Sequence, residues 1–483
     1  MGRDGPTFIW MAQDLSRDFA GTVRAADQHP GYPMLILAAQ KAGGAFGISS
    51  GNAGWALTAR GVSAVFGLAL VTAVWLLGRK VFDGRVAGIA AVLVAALPMF
   101  TETSSNVWSD TPHLTFYLLS AWLVVEGLER RRWAWFLGAG VAGGVAFWVR
   151  PEGLTPVVVG GLLLGWRLLR PGEGRARVLV WGLCLGVGAA ALVLPYTAVK
   201  GRLTAKKDLT KAVSVSAPAA AVTPAPAAAA IVPDSGAAPI PPAKPSKVKA
   251  FGLGSVRMAE RVAHGMRYFL VAPLLIALFA PGRRRPQADG AAFAAVLASF
   301  CVVLLLAVYL TAGYLAGRHV MPLVIVGLVW AAAGIAWIGE RTPAVLARRW
   351  PKAGQWPVER TCVAWAAVCV LVLLPRSVRP SYDHAVALRS VSLCIAAQTQ
   401  PGDALLSNTH WTPFYAGMPE RRSPWEFGGL LRATPEKRYR YIVFYRYEEG
   451  WDLRGKVGLP GYRVAARDEM PGADDSVEVL IRK

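Results

Sequence analysis

The chain has 483 residues, 54% of them hydrophobic, with a mean hydropathy of +0.38. That is too apolar for a soluble protein of this length and points to the membrane class. The formal net charge of +22 would suggest nucleic acid on a soluble chain. Here the cations sit in short loops between apolar runs, which is the pattern of cytoplasmic membrane loops, so no nucleic-acid partner is expected.

Residues 1–56 hold no apolar run able to lead their own export and no signal peptide. We expect a start placed late, with an upstream helix missing. Two stretches suit interfacial helices that lie in the headgroup layer. Residues 7–19 place Phe8, Ile9, Met11, Ala12 and Leu15 on one side, and 32–42 form an apolar run opening after Pro30 and Pro33.

Ten apolar runs follow, at 57–78, 86–100, 111–127, 134–149, 153–169, 178–199, 268–280, 291–311, 319–338 and 361–375. A hydrocarbon core about 30 Å thick takes roughly 20 residues of helix, and only helices satisfy the backbone of such Leu, Ala, Val and Gly runs in lipid. Basic clusters at 79–85, 130–132, 167–177, 283–285 and 341–360 fall in alternate loops. The short loops 101–110, 150–152 and 311–318 are poor in Lys and Arg. This alternation predicts that the N-terminal segment, the long stretch 201–263 and the C-terminal segment lie outside the cytoplasm. Within that stretch, residues 205–250 are Ala- and Pro-rich and predict a disordered outer loop.

After residue 375 the composition changes. A helix is predicted over 383–400, ending at the Pro401-Gly402-Asp403 turn, with strands at 404–407, 439–447, 462–466 and 476–481. The expected organisation is an extracytoplasmic first loop (1–56), an all-α polytopic membrane domain (57–375) and a small soluble α+β domain (376–483). Four of the five cysteines, Cys184, Cys301, Cys362 and Cys369, lie in spans, and Cys394 lies in the outer domain, so no disulfide framework is implied.

The candidate chemistry gathers in the predicted outer loops. Asp4, ahead of Gly5-Pro6, suits a general base at the membrane surface, and equally a helix cap; Asp14, Asp18 and Asp27 are its rivals. Gln28 and His29 form a second cluster suited to sugar, phosphate or the positioning of a metal, with a purely structural histidine as the equal alternative. Asp110 opens an apolar run, with Glu102 nearby, and reads as a second acid or as a cap. In Arg150-Pro151-Glu152-Gly153, Arg150 is a cation in a cation-poor loop, suited to a forked contact with phosphate, with Glu152 holding it; an ordinary salt-bridged turn is the alternative. Tyr314, Arg318 and His319 occupy the last such loop, where Arg318 suits a lipid phosphate or simple snorkelling. The spans carry no charge ladder and no inverted repeat, which argues against a transporter or flippase of lipid-linked glycans. A non-catalytic membrane scaffold is the other alternative.

These motifs, in order, resemble those of the GT-C membrane glycosyltransferases. The nearest branch is RgtA/B/C/D-like, related to protein O-mannosyltransferases and lipid A aminoarabinose transferases. The matching pieces are Arg3-Asp4-Gly5, Gln28-His29-Pro30-Gly31-Tyr32-Pro33, Ser109-Asp110-Thr111-Pro112, Arg150-Pro151-Glu152-Gly153 and Gly317-Arg318-His319, covering roughly residues 1–340. The family's first span, ahead of the Asp4 loop, is absent here, and its acidic pair is reduced to Asp4. The resemblance implies an enzyme of the inner cell membrane, with its site on the extracytoplasmic face. It would move a hexose or pentose from a polyprenyl-phosphate donor to a glycan, lipid or protein acceptor. It further implies Asp4 and Asp110 as catalytic residues, or as ligands of a divalent metal (magnesium or manganese). Arg150 and Arg318 would hold the donor phosphate, and Gln28, His29, Glu152, Tyr314 and His319 the sugar or acceptor. Single displacement would invert the anomeric centre.

Overall fold

The computed structural model describes residues 4–170, 174–204, 247–379 without 281, 283 and 285, 383–418, 439–446, and 461–482 without 467, 472, 474 and 475. Arg3 and most of the expected disordered loop lie outside the described residues.

Three short helices open the chain: α1 (Gly5–Leu15), α2 (Phe19–Ala25) and α3 (Gly31–Gly44). Pro6 stands in the first turn of α1, where a missing N–H costs nothing, and Phe8, Ile9, Met11, Ala12 and Leu15 are buried as expected. Asp18 caps α2, accepting from the Gly21 amide at 2.9 Å.

The bundle follows with α4 (Asn52–Val81), α5 (Gly84–Ala96), α6 (Pro98–Ser105), α7 (Asp110–Arg130), α8 (Trp133–Val149), α9 (Thr155–Leu168) and α10 (Arg175–Lys200). It continues with α11 (Lys247–Gly265), α12 (Val271–Phe279), α13 (Ala288–Ala312), α14 (Met321–Ala347) and α15 (Val358–Ser377). Every predicted apolar run meets a helix, and the helices differ in whether they are long and apolar enough to cross a membrane. Among the described residues five are long and apolar enough to do so, within 52–81, 175–200, 288–311, 317–347 and 358–377. A sixth is counted if α5 and α6, bent by 60° at Leu97-Pro98, form one broken span. The predicted span at 268–280 is corrected to the nine residues of α12, which at 1.5 Å per residue reach roughly 14 Å, about half a hydrocarbon core. Residues 247–250, expected in the disordered loop, open α11.

Loops expected on one side do meet at one end of the bundle. Lys80 pairs with Glu126 and Glu129 at 2.5 and 2.6 Å, and Arg85 with Glu359 at 2.5 Å. Arg167 pairs with Asp289 at 2.6 Å, and Arg284 binds Asp83 and Glu340.

Beyond α15 come α16 (Asp383–Gln398), β1 (Leu405–Ser407), α17 (Trp411–Tyr415), β2 (Tyr441–Tyr445), β3 (Tyr462–Val464) and β4 (Val477–Arg482). The sheet order is β1-β2-β4-β3, with β1 parallel to β2 and the other pairs antiparallel, Val443 facing Val479. Gly402, at φ +93°, makes the turn after α16 where the sequence predicts it.

This C-terminal unit shares an apolar core with the N-terminal helices rather than standing apart. Phe8, Ile9, Trp10, Tyr32 and Ile36 pack with Leu388, Val391, Trp411, Phe414 and Val443 in one cluster. Asn52 at the head of α4 donates to the Phe414 carbonyl at 2.6 Å.

Candidate functional site

The site lies at the end of the bundle away from the ionic network. Asp110 opens α7, and the 21 residues of that helix, roughly 30 Å, separate it from Arg130. Arg150 closes α8 in an extended conformation (φ −153°, ψ 142°), as expected of a residue before proline. The turn Pro151–Leu154 then folds back on α8, its Gly153 amide bonding to the Arg150 carbonyl at 2.9 Å. A Cβ on Gly153 would lie 2.2 Å from the Ala146 carbonyl carbon, so the close return requires glycine here.

Arg150 donates to Asp110, and its Nε stands 3.6 Å from Glu152. The two paired side chains are only 10% and 4% exposed. The second Asp110 oxygen, Oδ2, is buried without a hydrogen-bond partner. Burial pulls the Arg150 pKa down, but the carboxylates of Asp110, Glu152 and Asp4 outweigh it and leave it raised, so the guanidinium stays charged. Arg318, on the short turn Gly317–Val320 ahead of α14, donates to Asp4 Oδ2 at 3.2 Å across 314 positions of sequence. Both of these side chains are about one-third exposed. The Arg318 guanidinium also lies over the Trp108 ring, 5.5 Å from its centre.

A cavity of about 280 Å³ opens among these residues. Gln28, Asp110, Arg150, Glu152, Tyr314, Arg318 and His319 line it, together with His113, Tyr117 and an apolar wall of Leu304, Leu305 and Val308 from α13. Seven of the nine residues singled out from sequence therefore converge, from four separate segments. Asp4 reaches the group through its bond to Arg318. His29 does not line this cavity. It is 2% exposed, stacked on Tyr196 at 4.9 Å and edge-on to Phe147 at 5.2 Å, with Nε2 3.3 Å from the Thr204 hydroxyl. Of the rival acids, Asp18 is spent as a cap and Asp27 is exposed.

One lining residue, His113, and one neighbour of the cavity, Trp108, were not expected as site residues. His113 follows Asp110 by three positions, so the helical period places both on one face, and that spacing is the signal for it. Trp108 shelves Arg318 and is signalled only by its place beside Ser109-Asp110.

Among the described residues, no group of three or more His, Cys, Asp or Glu side chains could hold a metal ion. Asp4 and Asp110 each face a guanidinium instead. A divalent ion between them would meet two fixed cations, so this donor set does not fit one.

Residues 45–198 match the family model for dolichyl-phosphate-mannose-protein mannosyltransferase, about a third of the chain. No curated protein matches it in sequence. Among solved structures, the chain resembles ArnT from Cupriavidus metallidurans in the apo state, at 15% identity and a TM-score of 0.57, covering 99% of this chain and 93% of that one. It also resembles the archaeal oligosaccharyltransferase AglB from Archaeoglobus fulgidus, in complex with an inhibitory peptide and a dolichol-phosphate. That match has 12% identity and a TM-score of 0.56, covering 92% of this chain and 65% of AglB, so the chain spans just under two thirds of that relative. The architecture is that of the GT-C membrane glycosyltransferases, a multi-pass integral membrane fold.

Proposed function

We propose that this GT-C-fold membrane protein is a glycosyltransferase that moves a sugar from a polyprenyl-phosphate carrier to an acceptor at the extracytoplasmic membrane surface. The observation that carries the reading is the cavity itself: the Asp110–Arg150 pair and Arg318, which carries Asp4 on its far side, come from loops scattered along the sequence and stand beside an apolar wall suited to a lipid chain. The alternating basic loops support the extracytoplasmic placement, since the ionic network lies at the opposite end.

The chemistry follows from the charges. The acceptor hydroxyl attacks the anomeric carbon, a new O–C bond forms, and the C–O bond to phosphate breaks with its electron pair leaving on the phosphate. A phosphate leaving group needs no proton donor, unlike the alkoxide leaving group of a glycoside. The remaining needs are a base for the hydroxyl proton and positive charge for the departing phosphate. Asp4, one-third exposed and bonded to Arg318 of the cavity lining, is the base that an acceptor can reach. Arg318 beside it is the cation for the phosphate. Asp110, nearly buried and tied to Arg150, fixes the cavity wall and offers its unpartnered oxygen to a sugar hydroxyl. Gln28, Glu152, Tyr314 and His319 complete the sugar and acceptor contacts. Single displacement on one face inverts the anomeric centre. The acceptor is a glycan, lipid or protein, and the membrane lipid surrounds the carrier.

The test is transfer from polyprenyl-phosphate sugars by the purified full-length chain. Asp4→Asn keeps the shape but loses the proton acceptor, and a drop of about 10²–10⁴-fold is expected in the turnover rate. Equal transfer by both proteins removes Asp4 from the base role.

A further inference from the structure

A groove of about 400 Å³ lies between α14 and α15, at the end of the bundle that carries the ionic network. Along α15 it follows Arg360, Thr361, Ala364, Trp365 and Val368, which recur at three- and four-residue spacing and so share a face. Thr342 of α14 and Trp356, just ahead of α15, close the other side. The polar groups of these walls are satisfied within the protein. Pro343 lacks the N–H that would bond the Gly339 carbonyl one turn back, and the Thr361 hydroxyl donates to that carbonyl instead, at 2.6 Å. The Trp365 indole N–H donates to the Thr342 hydroxyl at 2.8 Å, and that hydroxyl donates on to the Ile338 carbonyl at 2.8 Å. What the groove offers its surroundings is therefore the apolar and aromatic surface of Trp356, Trp365 and Val368, all exposed.

One charge stands in this wall. Arg360 is exposed and forms no ion pair among the described residues. Glu359, beside it in sequence, is held by Arg85 at 2.5 Å, and Glu340 of α14 is bound by Arg284. Lys352, exposed on the short turn Pro351–Gln355 between the two helices, adds positive charge at the same end. The dimensions fit a lipid chain. The stretch from Pro357 to Val368 rises roughly 17 Å at about 1.5 Å per residue. One leaflet supplies half of a hydrocarbon core, about 15 Å. An arginine one turn inside the helix reaches the headgroup level by extending its stem towards the N-terminus.

We propose that this groove is a specific site for one anionic phospholipid of the adjoining leaflet, with an acyl chain between α14 and α15 and the headgroup phosphate on Arg360. The guanidinium fork matches phosphate oxygens. An anionic lipid is preferred to a zwitterionic one because its headgroup brings no ammonium to compete with Arg360 for the phosphate, and Lys352 favours the extra negative charge. The site lies at the opposite end of the bundle from the Asp110–Arg150 cavity and stands whether or not the chain transfers sugar.

The experiment is native mass spectrometry of the full-length protein in detergent with an equal mixture of phosphatidylglycerol and phosphatidylcholine. Wild type is expected to retain one phosphatidylglycerol in preference to phosphatidylcholine. Arg360→Gln is expected to lower that preference about fivefold, the worth of one cation at an anionic surface. Ala364→Trp, at an exposed position on the groove, fills it and is expected to lose the retained lipid of either kind. Arg177→Gln removes an exposed cation of α10 at the same end, outside the groove, and is expected to match wild type. Equal retention of the two lipids by wild type, an unchanged preference in Arg360→Gln, unchanged retention in Ala364→Trp, or an equal drop in Arg177→Gln overturns the proposal. So does a wild-type dimer that Ala364→Trp dissociates, because a second copy of the chain then covers the groove. Thermal unfolding of each variant separates loss of the site from loss of the fold.

Discussion

A buried carboxylate beside a buried guanidinium is tolerated only while both are present. Asp110 and Arg150 are such a pair, and removing one partner leaves an uncompensated charge that typically costs about 3–5 kcal/mol. Arg150→Ala is therefore expected to lower the thermal unfolding temperature in detergent clearly, and adding Asp110→Ala is expected to recover part of the loss. A double variant no better than the single one contradicts the pairing. The two residues were legible in the sequence because each sits in a short polar interruption of an apolar run. Their partnership was not, because 40 positions separate them and only the return of α8 beside α7 joins them. The same blindness explains His29. Its neighbour Gln28 lines the cavity, while the imidazole turns into an aromatic box with Tyr196 and Phe147, residues far along the chain.

Among the elements, the strands of the C-terminal unit fall within two residues of their expected positions, since runs such as Tyr441–Tyr445 pair β-branched and aromatic side chains with flanking turn residues. The turn between β3 and β4 carries a pH-sensitive clasp. Arg463 donates twice to Glu469, at 2.5 and 2.7 Å, and the Ala466 amide donates to the same carboxylate at 3.1 Å. These bonds pull the Glu469 pKa down from 4.5 to about 2. A depressed folded-state pKa gives stability that is present above the ordinary value and is lost as pH falls through the folded one. Hydrogen exchange at the Ala466 amide should therefore stay slow down to about pH 4.5 and lose protection towards pH 2, with Glu469→Gln removing that acid-dependent change. Exchange that does not depend on pH in the wild type contradicts the clasp. The bundle was less legible than the sheet. Hydropathy finds apolar runs but not how deep they reach, so the short α12 and the break at Leu97-Pro98 passed as ordinary spans. The helix α11 went unnoticed because its apolar positions recur on one face, separated by polar ones, instead of forming a continuous run.

Across the whole molecule, the C-terminal unit bears directly on the proposed base. Trp411, 2% exposed, lies against Gly5, where a Cβ would stand 2.5 Å from its ring, so the residue after Asp4 is pinned from above. Trp411→Ala leaves a cavity costing about 3–5 kcal/mol and is expected to slow transfer through a displaced Asp4, with the bundle still folded. Transfer at the wild-type rate, together with the expected loss of stability, contradicts this coupling. That dependence was invisible in the sequence, where the first and last segments read as separate regions. It also bears on how the protein is made. The Asp4–Arg318 contact closes over 314 positions. Every intermediate length on the ribosome before that point carries the acid without its counter-charge, and the tryptophan that pins its neighbour is translated later still. On the proposed reading of Asp4, the newborn chain therefore lacks its complete site until nearly its whole length has been made.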